Sequence, residues 1–207
     1  MTNSKILALV DGSVYSESVC RHSAWIAGKL GAAVDLLHVL GRREGGMPQD
    51  LSGAIGLGAR TALLKELAEL DAGRSRLAHM KGQAILEDAE AILRDGGVAT
   101  VSGRLQKGDL IDAATEADAG TLAIVMGKRG EGADFASGHL GSNLERLVRS
   151  VSVPVLVASR QFRPIHRVMI AFDGSPSNKQ ALKRIASSMV FLDLDIQLVH
   201  AGNTTPE

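Results

Sequence analysis

Residues 122–143 read LAIVMGKRGEGADFASGHLGSN and carry the strongest fold signal in the chain. An apolar run, Leu122–Met126, leads into a loop with five glycines, and an amphipathic segment follows from Leu144. A strand, a glycine-rich loop and a helix in this order can bind phosphate, because backbone N–H groups and the positive helix N-terminus face the anion. The stretch therefore predicts a strand of an α/β sheet with an anion site at its end.

The same alternation of apolar strands and amphipathic helices extends over the first 160 residues. The strands are nearly continuous apolar runs, which are typical of a parallel sheet covered on both faces. The predicted strands are Ile6–Val10, Val34–Leu40, Val98–Val101, Leu122–Met126 and Val155–Ala158, and the predicted helices are Ser16–Leu30, Arg60–Asp95, Leu110–Ala117 and Ser142–Arg149. This order predicts an α/β fold with an open parallel five-stranded sheet.

The predicted helix Arg60–Asp95 is longer than the sheet requires. Its 36 residues would span about 54 Å, whereas a short parallel strand is about 20 Å long. We therefore expect the helix either to break near Gly73 or Gly82, or to project beyond the sheet with its stripe of leucines. A projecting stripe is a candidate for dimerisation, and packing within the helix's own domain is the alternative.

The chain repeats its own beginning. Residues 5–13 read KILALVDGS and residues 167–175 read RVMIAFDGS, and the same offset of 162 residues aligns His38 with His200. This is an internal repeat. The second copy supplies a strand, a helix and a strand before Glu207. Residues 1–160 are thus predicted to form a complete domain, and residues 161–207 the N-terminal part of a second, incomplete one.

Composition argues against several classes of function. A net charge of zero and an aromatic content of 3% do not favour a nucleic-acid or membrane surface. The single cysteine, Cys20, and an N-terminal apolar run too short for a signal peptide predict a cytoplasmic protein. The six histidines lack metal-ligand spacing, and there is neither a Walker sequence nor an evident nucleophile–base pair. No catalytic or metal-binding residue is assigned.

Four motifs together resemble the universal stress protein family, and in particular its tandem-domain members. They are VDGS at 10–13, LHV at 37–39, the glycine pattern at 127–142 and SVPVLV at 152–157. The resemblance covers residues 4–160 as a whole domain and residues 167–201 as the start of another. It implies a flavodoxin-like or Rossmann-like fold, dimerisation, and ATP binding in the branch of the family that has the glycine motif.

The resemblance also implies where the nucleotide would bind. Asp11 would contact the ribose or the base, Val39 would lie beneath the adenine, and any Mg²⁺ would arrive with the ATP. The implied site residues are Asp11, Val39, Met126, Gly127, Arg129, Gly130, Gly141, Ser142 and Asn143. From the residues alone, Asp11 could equally cap the following helix, and the glycines could serve only the strand-to-helix turn.

The length of the glycine loop leaves two functions open. The family's ATP motif is similar to G-x2-G-x9-G-[ST], whereas ten residues separate Gly130 from Gly141 here. The first hypothesis is a dimeric stress-response regulator that binds ATP. The second is a nucleotide-free member that acts through a protein partner, with the loop folded into the pocket. An enzyme, at most a weak ATPase, ranks below both because no general base is evident.

Overall fold

The structure is a computed structural model that describes residues 4–41, 59–117, 120–130 and 142–200, without the side chains of residues 59–62 and 142. It divides into two compact units. The first comprises Met1–Gly28 and Ala32–Phe162, and the second comprises Lys29–Gly31 and Arg163–Glu207.

The first unit is a five-stranded parallel sheet with helices, in the strand order β3-β2-β1-β4-β5. Its strands are β1 (Lys5–Leu9), β2 (Ala33–Leu40), β3 (Val101–Lys107), β4 (Thr121–Gly127) and β5 (Val155–Ala158). Its helices are α1 (Ser16–Leu30), α2 (Ala59–Asp95), α3 (Leu110–Glu116) and α4 (Ser142–Ser150). This order is that of an open, Rossmann-like sheet, so the predicted fold class is confirmed.

The three central strands form the core of this sheet. Ile6, Leu7 and Ala8 in β1 are completely buried, as are Leu36 and Leu37 in β2. Burial on both faces explains why these strands are apolar at successive positions rather than at alternate ones. The apolar runs in the sequence therefore located them to within a residue or two.

The predicted position of the third strand is wrong. Val98–Val101 is mostly the turn after α2, and β3 runs instead from Val101 to Lys107. Val98 is buried because it closes the end of the helix, where its N–H donates to the carbonyl of Leu93 over 3.1 Å after a left-handed Gly97. The real strand lies at the sheet edge and is rich in polar residues, so its apolar pattern is weak.

Helix α2 continues without a break through Gly73 and Gly82. A Cβ on Gly82 would lie 2.7 Å from Leu105 Cδ1 and 2.9 Å from His38 Cδ2. The glycine therefore serves close packing of the helix on β2 and β3 rather than a kink. At about 1.5 Å per residue, the 37 residues of α2 extend about 56 Å, more than twice the length of β3.

The second unit consists of β6 (Arg167–Phe172), α5 (Pro176–Ser187), a 3₁₀ turn (Met189–Phe191) and β7 (Asp195–His200). Strands β6 and β7 pair in parallel, with Arg167 opposite Asp195. In the first unit Lys5 lies opposite Ala33, which is the same register at the 162-residue offset. The described part of the second unit has no completely buried side chain, so its strands lack the cover that β1 and β2 receive.

Hydrogen bonds inside the two units also correspond at this offset. His38 Nδ1 donates to the carbonyl of Val10 over 2.8 Å, and His200 Nδ1 donates to that of Phe172 over the same distance. A carbonyl can only accept, so in both residues the proton is on Nδ1. In each unit, the histidine of the second strand therefore links that strand to the C-terminal end of the first, β2 to β1 and β7 to β6.

Candidate functional site

A cleft of about 510 Å³ opens where β1, β2 and β4 end at their carboxyl edge. In an open α/β sheet, this edge is the usual ligand site beside the point where the strand order reverses. Here the chain passes from β1 to β2 on one side, while β4 lies on the other. The cleft is lined by Leu9, Val10, Asp11, Tyr15, Ser16, Val19, Val39, Gly41, Gly108, Leu110, Met126, Gly127, Lys128, Arg129, Gly130, Asn143 and Leu144.

Asp11 is fixed by the turn that begins α1. Its Oδ1 accepts from the backbone N–H of Ser13 over 3.0 Å and from the hydroxyl of Ser16 over 3.3 Å. The Ser16 hydroxyl oxygen in turn accepts from the N–H of Gly12 over 3.0 Å. Gly12 is left-handed, with φ of 76°, as this turn requires. The carboxylate therefore holds a defined position at the end of β1.

The turn after β4 comes very close to this carboxylate. A Cβ on Gly130 would lie 3.0 Å from Asp11 Oδ2, and a Cβ on Gly127 would lie 2.7 Å from Cβ of Tyr15. Both glycines are thus needed for close approach, which is more than a simple turn demands. Tyr15 packs directly on the β4 end and lines the cleft.

Arg129 brings an unsatisfied donor to the cleft. Within the described ranges, its Nε is the buried side-chain nitrogen or oxygen that lacks a hydrogen-bond partner. The preceding residue, Lys128, is exposed, and its backbone N–H donates to the carbonyl of Ala158 over 3.1 Å. The backbone bond anchors this turn to β5, so Arg129 is held at the cleft by a fixed main chain.

The other side of the cleft is apolar. Val39, Leu110 and Met126 belong to, or pack against, a buried cluster that includes Leu144 and Leu147 of α4. This cluster provides a firm surface beside the polar group of Asp11 and Arg129. The cleft thus combines an apolar wall, a carboxylate, a guanidinium and a glycine turn.

A second carboxylate stands beside the cleft without lining it. Asp109 caps α3: its Oδ1 accepts from the N–H of Ile111 over 2.8 Å. This bond, followed by the hydrogen bond from Arg146, lowers the pKa of Asp109. Arg146 Nη2 and Asp109 Oδ2 form an ion pair at 3.2 Å, which joins the start of α3 to α4. Arg146 is therefore a structural partner of Asp109 rather than a ligand of the cleft.

The structure brings together most of the residues that the sequence implied for the site. Seven of them line the cleft: Asp11, Val39, Met126, Gly127, Arg129, Gly130 and Asn143. Ser142 begins α4, and its side chain is not described. Gly141 and the insert between Gly130 and Gly141 lie outside the described residues.

Several lining residues were not predicted. Tyr15, Ser16 and Gly108 come from segments where the sequence shows only turn and helix-start signals. The DGS turn at residues 11–13 could have pointed to Tyr15 and Ser16, since Tyr15 immediately precedes α1 and Ser16 begins it. Gly108 is left-handed, with φ of 137°, and its role at the cleft follows only from the β2–β3 pairing.

Neither a metal-binding cluster nor a membrane-crossing helix occurs among the described residues. No cluster of three or more histidine, cysteine, aspartate or glutamate side chains in the described ranges could hold a metal ion. None of the described helices combines the length and apolar character needed to cross a membrane.

Comparison with known proteins places the chain in a family. A sequence model described as the universal stress protein family matches residues 2–159. The chain belongs to the universal stress protein family. The match covers the five-stranded unit and its cleft, which agrees with the resemblance found in the sequence motifs.

The chain is also similar to individual proteins of known sequence or structure. The chain is 37% identical to universal stress protein Slr1230 of Synechocystis over 204 residues, which are 98% of this chain and 71% of that protein. A solved universal stress protein from Archaeoglobus fulgidus DSM 4304 has the same fold with a TM-score of 0.64 and 19% identity, over 99% of this chain and 69% of that one. Another from Archaeoglobus fulgidus, in complex with dAMP, has a TM-score of 0.47 and 22% identity over 76% of this chain and 99% of that one.

Proposed function

We propose that this universal stress protein is a stress-response regulator that binds ATP in the cleft at the ends of β1 and β4. The observation that carries the proposal is the buried Nε of Arg129, which has no hydrogen-bond partner within the described ranges. A buried donor without an acceptor is unfavourable by about 1–3 kcal/mol. Phosphate oxygens are the acceptors that a guanidinium binds best.

The remaining features of the cleft suit the other parts of the nucleotide. Gly127 and Gly130 bring the turn after β4 close to Tyr15 and Asp11 at the cleft, and Asn143 lies in the first turn of α4, whose N-terminus favours an anion. Val39 and Met126 supply apolar surface for the adenine, and Asp11 supplies acceptors for the ribose. A volume of about 510 Å³ lies within the usual range for small-molecule sites.

Family membership supports an adenine nucleotide as the ligand class. Two universal stress proteins have been solved as complexes, one with cAMP and the other with dAMP. Any Mg²⁺ would be carried by the ATP, with the chain's own residues binding the nucleotide.

Calorimetry with ATP tests the proposal. Replacing Arg129 by Met removes the guanidinium but keeps a long side chain, and Arg149→Met is the matched control, because Arg149 is exposed and is not among the cleft-lining residues. Loss of a charge-assisted hydrogen bond worth about 1.5–3 kcal/mol predicts an affinity roughly 10 to 100 times weaker for Arg129→Met. Arg149→Met should change the affinity little, and Gly130→Val should abolish binding, because its side chain would collide with Asp11.

Three results would separate the competing functions. If the wild-type protein neither binds ATP nor carries nucleotide through purification, as judged by mass spectrometry, the nucleotide-free hypothesis replaces this one. Equal ATP affinity in the wild type, Arg129→Met and Gly130→Val would show that ATP binds at a site other than this cleft. Release of phosphate from ATP above the level seen with Gly130→Val would show that the protein also has a weak ATPase activity.

We also propose a cytoplasmic homodimer whose second unit begins a second universal-stress-type domain. The shared strand register and the paired His38 and His200 hydrogen bonds support this repeat. In the second unit Asp173 accepts from the N–H of Ser175, as Asp11 does from Ser13. The backbone bond and the Ser175 hydroxyl lower the pKa of Asp173.

A further inference from the structure

One face of helix α2 packs against the sheet next to the cleft. Gly82 and Ile85 are three residues apart and therefore lie on the same side of the helix. Gly82 is buried against His38, and Ile85 is half-buried at the turn that follows β1. Residues 82–85 of α2 thus lie behind the end of β1 that carries Asp11.

The side chain of Ile85 fills the space beside Gly12. A Cβ built on Gly12 would lie 2.7 Å from Ile85 Cδ1 and 3.0 Å from Ile85 Cγ1. Gly12 also has a left-handed backbone, so both its conformation and this neighbour require the absence of a side chain. The isoleucine therefore limits how far the turn can move toward α2.

The turn at Gly12 holds the carboxylate of Asp11. The N–H of Gly12 donates to the hydroxyl oxygen of Ser16 over 3.0 Å, and the same hydroxyl donates to Asp11 Oδ1 over 3.3 Å. The N–H of Ser13 donates to this carboxylate oxygen over 3.0 Å. A shift of Gly12 therefore moves the groups that orient the carboxylate.

Helix α2 also supports the residue before Asp11. His38 Nδ1 donates to the carbonyl of Val10 over 2.8 Å, and Cδ2 of the same ring would lie 2.9 Å from a Cβ on Gly82. The helix thus contacts the main chain before Asp11 through His38, and the main chain after it through Ile85. Both neighbours of the carboxylate residue are held from one helix face.

We propose that Ile85 is a positioning residue of the nucleotide site, which sets the place of Asp11 through the turn at Gly12. The inference rests on the ATP site proposed above and deepens it. None of the described residues that line the cleft belongs to α2, so Ile85 acts through the turn rather than by touching the ligand. Across the cleft, a Cβ on Gly130 would lie 3.0 Å from Asp11 Oδ2. The carboxylate therefore occupies a narrow space, and a small displacement of the turn would move it toward Gly130 or away from a bound ribose.

Calorimetry with ATP on the full chain tests this role with Ile85→Ala. Misplacing one hydrogen bond to the ribose predicts an affinity about three- to tenfold weaker than that of the wild type. Ile92→Ala is the matched control, because Ile92 is also half-buried on α2 but lies about 10 Å further along the helix. Both variants lose the same atoms, so their midpoints of urea unfolding should fall alike, whereas the affinity of Ile92→Ala should stay at the wild-type level. Ile85→Leu keeps the volume of the side chain and should retain most of the affinity.

A double-variant cycle tests whether Ile85 acts through Asp11. In Asp11→Ala, which lacks the carboxylate, the addition of Ile85→Ala should cause no further loss of ATP affinity, because both changes remove the same interaction. A further loss as large as in the wild-type background would overturn the positioning role. Wild-type affinity in the single variant Ile85→Ala would overturn it as well.

Nuclear magnetic resonance of the unliganded chain tests the same turn without ATP. The amide proton shifts of Gly12 and Ser13 report the hydrogen bonds that orient Asp11, and they should change in Ile85→Ala but not in Ile92→Ala. Unchanged shifts in Ile85→Ala would overturn the inference. A wild-type chain that does not bind ATP would overturn the proposed function alone, and changed shifts would then still support Ile85 as the residue that positions the turn.

Discussion

Gly82→Ala is expected to lower the stability of the five-stranded unit. Alanine at an ordinary interior helix position is favoured over glycine by about 0.8–1.0 kcal/mol. At Gly82 the new methyl group would lie 2.7 Å from Leu105 Cδ1 and 2.9 Å from His38 Cδ2. Leu105 can rotate away, but the imidazole is buried and held by its bond to Val10.

The overlap therefore outweighs the gain in helix propensity. Overpacking of this kind costs about 1–3 kcal/mol, and displacing the imidazole weakens a buried hydrogen bond worth about 1 kcal/mol. The net change should be a loss of about 1–2 kcal/mol in the free energy of unfolding. Because His38 bonds the last carbonyl before Asp11, the same substitution should also disturb the end of β1 at the cleft.

Urea unfolding followed by circular dichroism measures this difference. Gly28→Ala is the control, because Gly28 lies within α1 and a Cβ there meets no atom within 4 Å. It should gain up to about 1 kcal/mol. The two alanine variants should then differ by about 1–3 kcal/mol. Equal stability of Gly82→Ala and Gly28→Ala would refute the close packing of α2 on His38.

Two further predictions concern buried groups away from the cleft. Burial raises the pKa of the Cys20 thiol to about 12, so the thiolate is scarce at pH 8. A thiol reagent should therefore react slowly with the native protein but rapidly with the protein unfolded in urea. Rapid stoichiometric reaction of the folded protein would contradict this prediction. The buried carboxylate of Asp35 accepts from Lys5 Nζ over 3.2 Å and from Arg104 Nη2 over 2.9 Å. Asp35→Ala should therefore lower the free energy of unfolding, measured by chemical denaturation, by about 2–4 kcal/mol. Arg21→Ala removes one partner of an exposed helix ion pair and should lower it by less than about 1 kcal/mol. Similar losses in both variants would show that the ion pairs of Asp35 do not stabilise the fold as buried interactions.

The carboxylate of Asp109 makes the stability of the same unit depend on pH. Its pKa is lowered in the folded state, so its contribution is complete above the ordinary carboxyl range and is lost as the pH falls through the lowered value. The side chain is about one-third exposed, so solvent screens the interaction and the effect is correspondingly small.

The sequence by itself determined the order of strands and helices and most of the cleft. Strands β1, β4 and β5 contain continuous apolar runs and β2 a run that includes Asp35 and His38, and these runs made the four strands visible in the sequence. Seven of the residues that the resemblance implied, in the DGS turn, the second strand and the glycine loop, line the cleft, where strands of the parallel sheet end at a common edge.

Only the tertiary structure decided the rest. Val98 is buried at the end of α2 and does not belong to a strand. The edge strand β3 has too few apolar residues to be recognised from the sequence. Helix α2 continues through Gly82, where the absence of a Cβ lets the helix pack closely against His38. The contact of Tyr15 with Gly127 joins segments more than 100 residues apart, and the burial of Arg129 Nε without a partner among the described residues likewise follows from the packing. Such contacts depend on how the elements pack, and no local pattern in the sequence encodes that packing.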